Sequence, residues 1–196
     1  MSTISFAAIP DSGVSHPVTA VLLNFRAYDT LLELAVVFSA VLGILALGPA
    51  RRDFQPPPPL LSGLIRGLVP LLIVTAGYLL WVGGLAPGGA FQAGASLAAA
   101  GILLRLGGYG RGGLPRAGLI RWMLVAGVAV FVLVGLAVMI GERAALQYPG
   151  SLAGVLILLI ETAATLSIAA ALVLAYIGGR PSDWDAPDSE AAQARD

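Results

Sequence analysis

The sequence predicts an all-α, polytopic membrane protein with about five transmembrane helices. Hydrophobic residues make up 58% of the 196 residues, whereas charged residues make up only 11%. Soluble domains carry about 25% charged residues, so this chain lacks the polar side chains that a water-facing shell requires. Long apolar segments, separated by short stretches rich in glycine and proline, complete the pattern.

Five apolar segments have, or approach, the length of about 20 helical residues that crosses a bilayer core of about 30 Å. In chain order they are 31–47 (preceded by a mostly apolar stretch from 18), 67–85, 90–104, 122–141 and 151–178. The third is short and rich in small residues, and the fourth is the most hydrophobic. Glycine and proline in the intervening stretches end each helix.

The helix-ending glycines and prolines, together with changes in composition, divide the chain into five parts. A run of four prolines forms a stiff connector after the first helix, and the acid-rich end with few large apolar residues is expected to be disordered. The parts are an extracytoplasmic segment (1–17), a first transmembrane helix (18–48), a cytoplasmic connector (49–64), a four-helix domain (65–178) and a cytoplasmic tail (179–196). The first 15 residues carry no positive charge beyond the amino terminus and do not resemble a signal peptide.

The distribution of arginine predicts the orientation, because cytoplasmic loops carry an excess of positive charge. One side of the membrane would hold nine arginines and the other only two, Arg26 and Arg143. The N-terminus and the loop at 86–89 are therefore expected outside the cytoplasm, and the C-terminus inside. The nine are Arg51, Arg52, Arg66, Arg105, Arg111, Arg116, Arg121, Arg180 and Arg195.

The composition also excludes several classes of function. The chain has no cysteine and a single histidine, His16, so disulfides, cysteine-based zinc sites and histidine-rich metal sites are excluded. The chain has no basic run that would indicate nucleic-acid binding, and it has no nucleophile–base set that would indicate an enzyme. We expect neither a metal nor a cofactor.

Glu161 is the one acid in the last apolar segment. It is the eleventh residue of the stretch beginning at Ser151, which places it about 15 Å along a helix, near the bilayer midplane. A charge at this depth costs about 2.5–3.5 kcal/mol on insertion scales, and such acids usually face polar cavities. The position predicts a role in an ion or proton pathway. The alternative is a protonated carboxyl that bonds a neighbouring helix and stabilises packing.

A second polar group, Arg26, Asp29 and Glu33, lies near the start of the first membrane segment. The spacing of three and four residues places these side chains on one helical face, close enough to pair. Two buried acids beside an arginine can hold a proton or a cation, which would make Asp29 and Glu33 pathway residues supported by Arg26 and Thr30. The alternative is a capping box formed by Thr30 and Glu33.

The segment from Pro87 through Gly88 and Gly89 joins the second and third apolar segments of the chain. Glycine there permits a tight turn and close helix packing. Small residues continue from Gly94 to Gly101, on a face suited to a neighbouring helix. A phosphate-binding loop is not indicated, because no Lys followed by Ser or Thr completes the pattern.

Two of these stretches resemble a known family, the Mrp-type antiporters. Residues 24–33 (Asn-Phe-Arg-Ala-Tyr-Asp-Thr-Leu-Leu-Glu) are similar to the "DFRGYDTLGE" element, which occurs near the C-terminal end of the large A-type subunit of these antiporters or in a small subunit of membrane-bound hydrogenases. Residues 85–94 (Leu-Ala-Pro-Gly-Gly-Ala-Phe-Gln-Ala-Gly) resemble the "NAPGGGFQGG" signature of the B-type subunit. Leu32 and Ala90 replace glycines of these patterns.

The resemblance implies a subunit of a multisubunit Na+/H+ antiporter in a bacterial inner membrane. Its partners would be the other subunits and lipid, and the transported ions would be Na+ and H+. The resemblance implies that the acid equivalent to Glu33 contributes to cation transport, and Glu161 matches an acid in the last helix of the B-type subunit. The alternatives are a subunit of a membrane-bound hydrogenase or related redox-driven pump, and a purely structural scaffold.

Overall fold

The computed structural model of the chain describes residues 12, 14–47, 59–107, 117–140, 146, 148–149 and 152–178. All regular structure in these residues is helical, which confirms the predicted all-α class. The helices are α1 (Pro17–Ala20), which continues into a π-helical turn (Val21–Phe25), α2 (Ala27–Ala46), α3 (Pro59–Val82), α4 (Ala90–Leu106), α5 (Ala117–Ile140) and α6 (Ala153–Ile177). The acidic tail at 179–196 lies outside the described residues.

Four of the helices are long and apolar enough to cross a membrane: α2, α3, α5 and α6. Helix α4 is apolar but has only 17 residues. Counting α4, the architecture agrees with about five membrane helices, and the chain is a multi-pass membrane protein.

Helix α6 is the central helix of the bundle and packs against α2, α3, α4 and α5. One apolar cluster, near the start of α6, includes Phe131 and Ile157. A second cluster joins Val41 near the end of α2, Ile120 near the start of α5 and Leu174 near the end of α6. Because the end of one helix meets the start of another in this cluster, α5 runs antiparallel to both α2 and α6.

The first membrane segment is broken at Arg26 and is not the single helix expected for 18–48. The Arg26 N–H bonds to the Val21 carbonyl at 2.7 Å, a π-type bond to the fifth residue back. That bond bypasses the Leu22 carbonyl, which accepts a hydrogen bond from the Thr30 hydroxyl at 2.7 Å. A side-chain bond from a residue eight positions further along the chain therefore stabilises the break.

The connector between α2 and α3 is shorter than the expected 49–64, because α3 already begins at Pro59. Proline suits the first turn of a helix, where its missing N–H would have no partner within the helix. The prolines at 56–58 lie outside the described residues.

Candidate ion site around Glu161

Helix α6 places Glu161 inside the bundle, where only 4% of the residue is exposed. It is the ninth residue of α6, about 12 Å along the helix from Ala153. Its neighbours along the chain, Ile160 and Ala164, are buried in the apolar cluster at this end of α6. A carboxyl group in such surroundings requires a polar partner, because an unpaired buried charge is costly.

The start of α4 provides that partner. The backbone N–H of Ala90 donates a hydrogen bond to the Glu161 carboxylate. Gly89, which precedes it, would place a Cβ atom 3.0 Å from Oε1 of Glu161. The first N–H groups of a helix have no partner within it and carry a partial positive charge. The structure thus brings together two features that are separate in the sequence, the glycine loop and the intramembrane acid.

The loop from Gly83 to Gly89 is folded tightly against the end of α3. The Gly89 N–H bonds to the Leu79 carbonyl at 2.9 Å. A Cβ on Gly88 would lie 2.5 Å from that same carbonyl oxygen, and a Cβ on Gly83 would lie 2.7 Å from the Gly89 nitrogen. Gly89 itself has φ 109°, a conformation open to glycine and strained for other residues. Pro87 is exposed at the turn.

The small-residue face of α4 packs against α6 of the same chain. A Cβ on Gly94 would lie 2.8 Å from the Cβ and Cγ2 atoms of Ile168, so the two helices approach as closely as glycine permits. Ala98 and Gly101 on the same helix are buried, whereas Ala95 is exposed. The neighbour expected for this face is therefore α6 and need not come from another protein.

Three hydroxyl groups near Glu161 on α6 bond to main-chain carbonyls. Thr165 donates to the carbonyl of Glu161 itself at 2.8 Å, and Thr162 donates to that of Leu158 at 2.7 Å. Ser167 donates across the helix interface to the Leu124 carbonyl of α5 at 2.6 Å. Each of these hydroxyls therefore has an acceptor, and the Ser167 bond connects α6 to α5.

The polar group on α2 lies in different surroundings. Arg26 and Asp29 form an ion pair on the surface, and Glu33 is exposed. Helix α2 begins at Ala27, and no side-chain hydrogen bond caps its start. Thr30 is buried and bonds to Leu22, so the Thr30–Glu33 capping box is not formed. Among the described residues, no group of three or more His, Cys, Asp or Glu side chains could hold a metal ion.

Two further residues near this site, Thr19 and Gln92, were not expected from the sequence. The Thr19 hydroxyl donates to the Gly83 carbonyl, in the loop before α4. Oε1 of Gln92 lies 3.8 Å from the position of a Cβ on Gly89. Gln92 belongs to the motif at 85–94, so that motif was the available signal. No local pattern pointed to Thr19.

The comparison with protein families decides the classification. Residues 60–180 match the model described as "Domain related to MnhB subunit of Na+/H+ antiporter". The chain belongs to this MnhB-related family. The expected resemblance to the B-type subunit of Mrp antiporters is therefore confirmed. The matched region contains both the glycine loop and Glu161, whereas the polar group on α2 precedes it. No curated protein matches the sequence.

Two solved structures resemble the MnhB-related chain over almost its whole length. A chain of the Mrp complex from Dietzia sp. DQ12-45-1b superposes with a TM-score of 0.70 and 26% identity, over 95% of this chain and 24% of that one. The MnhB-related chain thus spans about a quarter of its Mrp counterpart. A chain of the membrane-bound sulfane sulfur reductase, an archaeal respiratory membrane complex, superposes with a TM-score of 0.72 and 22% identity, over 92% and 87% of the two chains. This second likeness concerns the fold alone.

Proposed function

We propose that the chain is a membrane subunit of a multisubunit Na+/H+ antiporter, in which it contributes acids to an ion path and helices to assembly. The observation that carries the proposal is Glu161, a carboxyl group buried in an apolar membrane helix and bonded by the first N–H of α4. Intramembrane acids are rare and mark ion paths or proton relays by default.

The surroundings of Glu161 act on its two protonation states in opposite directions. Burial among apolar side chains disfavours the charged carboxylate. The Ala90 N–H and the positive end of the α4 dipole favour it. A carboxyl group under two opposing influences can exchange a proton for a cation with a small change in its environment, which an antiporter requires.

The position of Glu33 is an argument for both parts of the proposal, an ion path and assembly with other subunits. It is exposed on α2, a helix that is apolar enough to span the membrane. A carboxylate facing lipid is costly, so acids in membrane helices face a protein interior or a water-filled cavity. The exposed Glu33 therefore favours contact between this face and a partner protein, with the ion path running along the contact. Asp29, paired with Arg26 near the start of α2, would lie at the entrance to that path.

The names of the related proteins agree with this proposal. The family is described by its relation to a subunit of a Na+/H+ antiporter, and the Mrp chain that resembles this one is about four times as long as the matched part. We expect other parts of the complex to carry the proton-driven part of the cycle.

The test is glutamine substitution of each acid in the native complex. Glutamine keeps the size and hydrogen-bonding capacity of glutamate but cannot change charge. Glu33→Gln and Glu161→Gln should leave assembly on native gels intact and strongly lower sodium-dependent proton flux in inverted vesicles. Ser39→Ala on the exposed face of α2 and Thr162→Val on the exposed face of α6 are the matched controls and should retain wild-type flux.

Each other result selects an alternative. Wild-type flux in both glutamine variants at normal assembly would make the chain a scaffold. Loss of assembly in either variant would make that residue structural. Iron–sulfur subunits co-purifying with the chain would instead indicate a redox-driven pump.

A further inference from the structure

The segment before α2 is bonded directly to the loop that reaches Glu161. The backbone N–H groups of Ser15 and His16 both bond to the Gly84 carbonyl at 3.0 Å. The buried Thr19 hydroxyl donates to the Gly83 carbonyl and lies 3.5 Å from Nδ1 of His16. Val14 adds an apolar contact, with its Cγ1 atom 3.8 Å from the position of a Cβ on Gly84. The segment thus holds the loop through three hydrogen bonds and an apolar contact.

These hydrogen bonds satisfy carbonyl groups that have no partner within helix α3. Helix α3 ends at Val82, and the last carbonyls of a helix and those just beyond it have no partners within it. In a membrane, an unsatisfied carbonyl costs several kcal/mol, because no water is available. The loop's own N–H groups bond to Leu79 and Val82. The carbonyls of Gly83 and Gly84 are bonded by the segment at 15–19.

The position of Gly83 is transmitted to Glu161 by contact. The backbone of Gly83 lies directly against that of Gly89, because a Cβ on Gly83 would approach the Gly89 nitrogen and Cα atoms to 2.7 and 2.8 Å. Gly89 in turn lies against Oε1 of Glu161 and positions the Ala90 N–H that bonds to it. Because neither glycine has a side chain that could rotate away, a displacement of Gly83 also displaces Gly89.

We infer that Thr19 is a positioning residue for the Glu161 site, acting through the loop from Gly83 to Gly89. The inference rests on the proposed function, because it assigns Thr19 an effect on the ion-binding carboxylate. Thr19 itself need not touch an ion. Its hydroxyl fixes the loop, and the loop sets where the first N–H of α4 lies relative to the carboxylate.

The experiment compares Thr19→Val, Thr19→Ser and the control Thr162→Val in the assembled native complex. Valine keeps the shape of threonine and removes the hydroxyl, whereas serine keeps the hydroxyl. Deuterium exchange of the peptide covering residues 83–92 reports on the loop independently of transport. Thr19→Val should raise amide exchange in this peptide about tenfold, the effect of a lost buried hydrogen bond, with no change in a peptide covering 97–106. Thr162→Val and Thr19→Ser should match the wild type.

Transport gives the second measurement. In Thr19→Val, the sodium concentration for half-maximal exchange should rise, since the carboxylate and its N–H partner are misaligned, and Thr19→Ser should restore it. A merely structural role would lower the amount of complex without changing this concentration. Should Thr19→Val fail to assemble, Ser15→Pro removes one donor to Gly84 and is judged by the same two measurements.

The outcomes separate this inference from the proposed function. Unchanged amide exchange in Thr19→Val, or raised exchange with unchanged sodium dependence while Glu161→Gln abolishes flux, would overturn the positioning role. Wild-type flux in Glu161→Gln would overturn the ion-path role of Glu161, and with it the effect of Thr19 on transport. The raised deuterium exchange would then be explained by loop packing alone.

Discussion

Gly89 lies directly against the carboxyl group of Glu161, since a Cβ atom on Gly89 would stand 3.0 Å from Oε1. The two residues are far apart in sequence, and Gly89 immediately precedes α4 whereas Glu161 lies within α6. Their contact places the start of α4 at the depth of an intramembrane acid, about 12 Å along α6 from Ala153. It also explains why α4, with 17 residues, is shorter than the other membrane helices.

Gly89→Ala should therefore disturb the site for two reasons. Alanine is strained at φ 109°, and its methyl group would press on Oε1 of Glu161. We expect stability to fall by about 1–3 kcal/mol and sodium-dependent proton flux per assembled complex to fall as well. Thermal melting of the purified complex and vesicle flux are the measurements. Gly77→Ala is the control, because nothing lies within 4 Å of its Cβ position, and equal behaviour of the two variants would refute the contact.

The apolar pattern was sufficient to predict the membrane helices from α3 to α6, although not the break at Arg26 in the first segment. Each membrane segment is a long run of apolar residues ended by glycine or proline, and this signal is local. Glu161 was identifiable for the same reason, because a single acid in such a run has few alternative explanations. The small residues around Gly94 likewise indicated a close helix contact, although not that α6 would make it.

The construction of the site could not be read from the sequence, because it depends on contacts between distant segments. The Gly89–Glu161 contact arises from the packing of α4 on α6, and the Thr19–Gly83 bond from the docking of the N-terminal segment on a loop. The capping-box pattern at Thr30 was misleading, since the π-helical turn starts α2 at Ala27 and directs the Thr30 hydroxyl to Leu22. A short motif records residue types, whereas tertiary structure decides which partner each one meets.

Gly94→Ala tests the packing of α4 on α6. The added methyl group would meet Ile168 at 2.8 Å, and overpacking of this kind costs about 1–3 kcal/mol. The melting temperature of the purified complex should fall. Gly43→Ala, on α2 with open space at its Cβ position, should leave it unchanged or slightly higher, because alanine favours helix over glycine. An unchanged melting temperature in Gly94→Ala would show that α4 and α6 can move apart without a loss of stability.

Thr30→Val tests the hydrogen bond that stabilises the break at Arg26. Valine fills the same volume but leaves the Leu22 carbonyl without its hydroxyl donor, at a cost of about 1–3 kcal/mol for a buried group. Thr30→Ser should recover most of the stability. Ser39→Ala is the control, since the exposed Ser39 hydroxyl bonds only to Ala35 within its own helix. A melting temperature equal to that of Ser39→Ala would contradict the role of this bond.

The orientation can be tested with single cysteines, because the chain has none of its own. The bonds from Ser15 and His16 to Gly84 place the N-terminal segment and the loop at the same end of the bundle. The arginine distribution predicts that this end is extracytoplasmic. An impermeant maleimide should label Leu152→Cys, exposed just before the start of α6 at the same end of the bundle, in intact cells and Leu106→Cys, at the opposite end, only after permeabilisation. A reporter fused after Asp196 should be cytoplasmic, and the reverse labelling pattern would invert the topology.

The buried Tyr148, between α5 and α6, should make the stability of the protein depend on pH. Its hydroxyl is buried, and the structure gives it no hydrogen-bond partner among the described residues. Burial raises the pKa of Tyr148 above its ordinary value, which is about 10 in the unfolded chain. The neutral phenol is thus favoured in the folded state. The contribution of the Tyr148 phenol to the stability of the folded protein is fully present below about pH 10. It is lost as the pH rises through the pKa that Tyr148 has in the folded state.

Tyr148→Phe should therefore remove the part of the alkaline destabilisation that this residue causes. At neutral pH the variant should be at least as stable as the wild type, because phenylalanine has no hydroxyl to leave unpaired. Melting temperatures of the purified complex from about pH 7 to 11, which bracket the ordinary tyrosine pKa, provide the measurement. Tyr78→Phe, on an exposed position of α3, should follow the wild-type curve. A clear loss of stability in Tyr148→Phe at neutral pH would mean that the hydroxyl has a hydrogen-bond partner in the assembled complex, since only a lost bond would make phenylalanine the worse residue there.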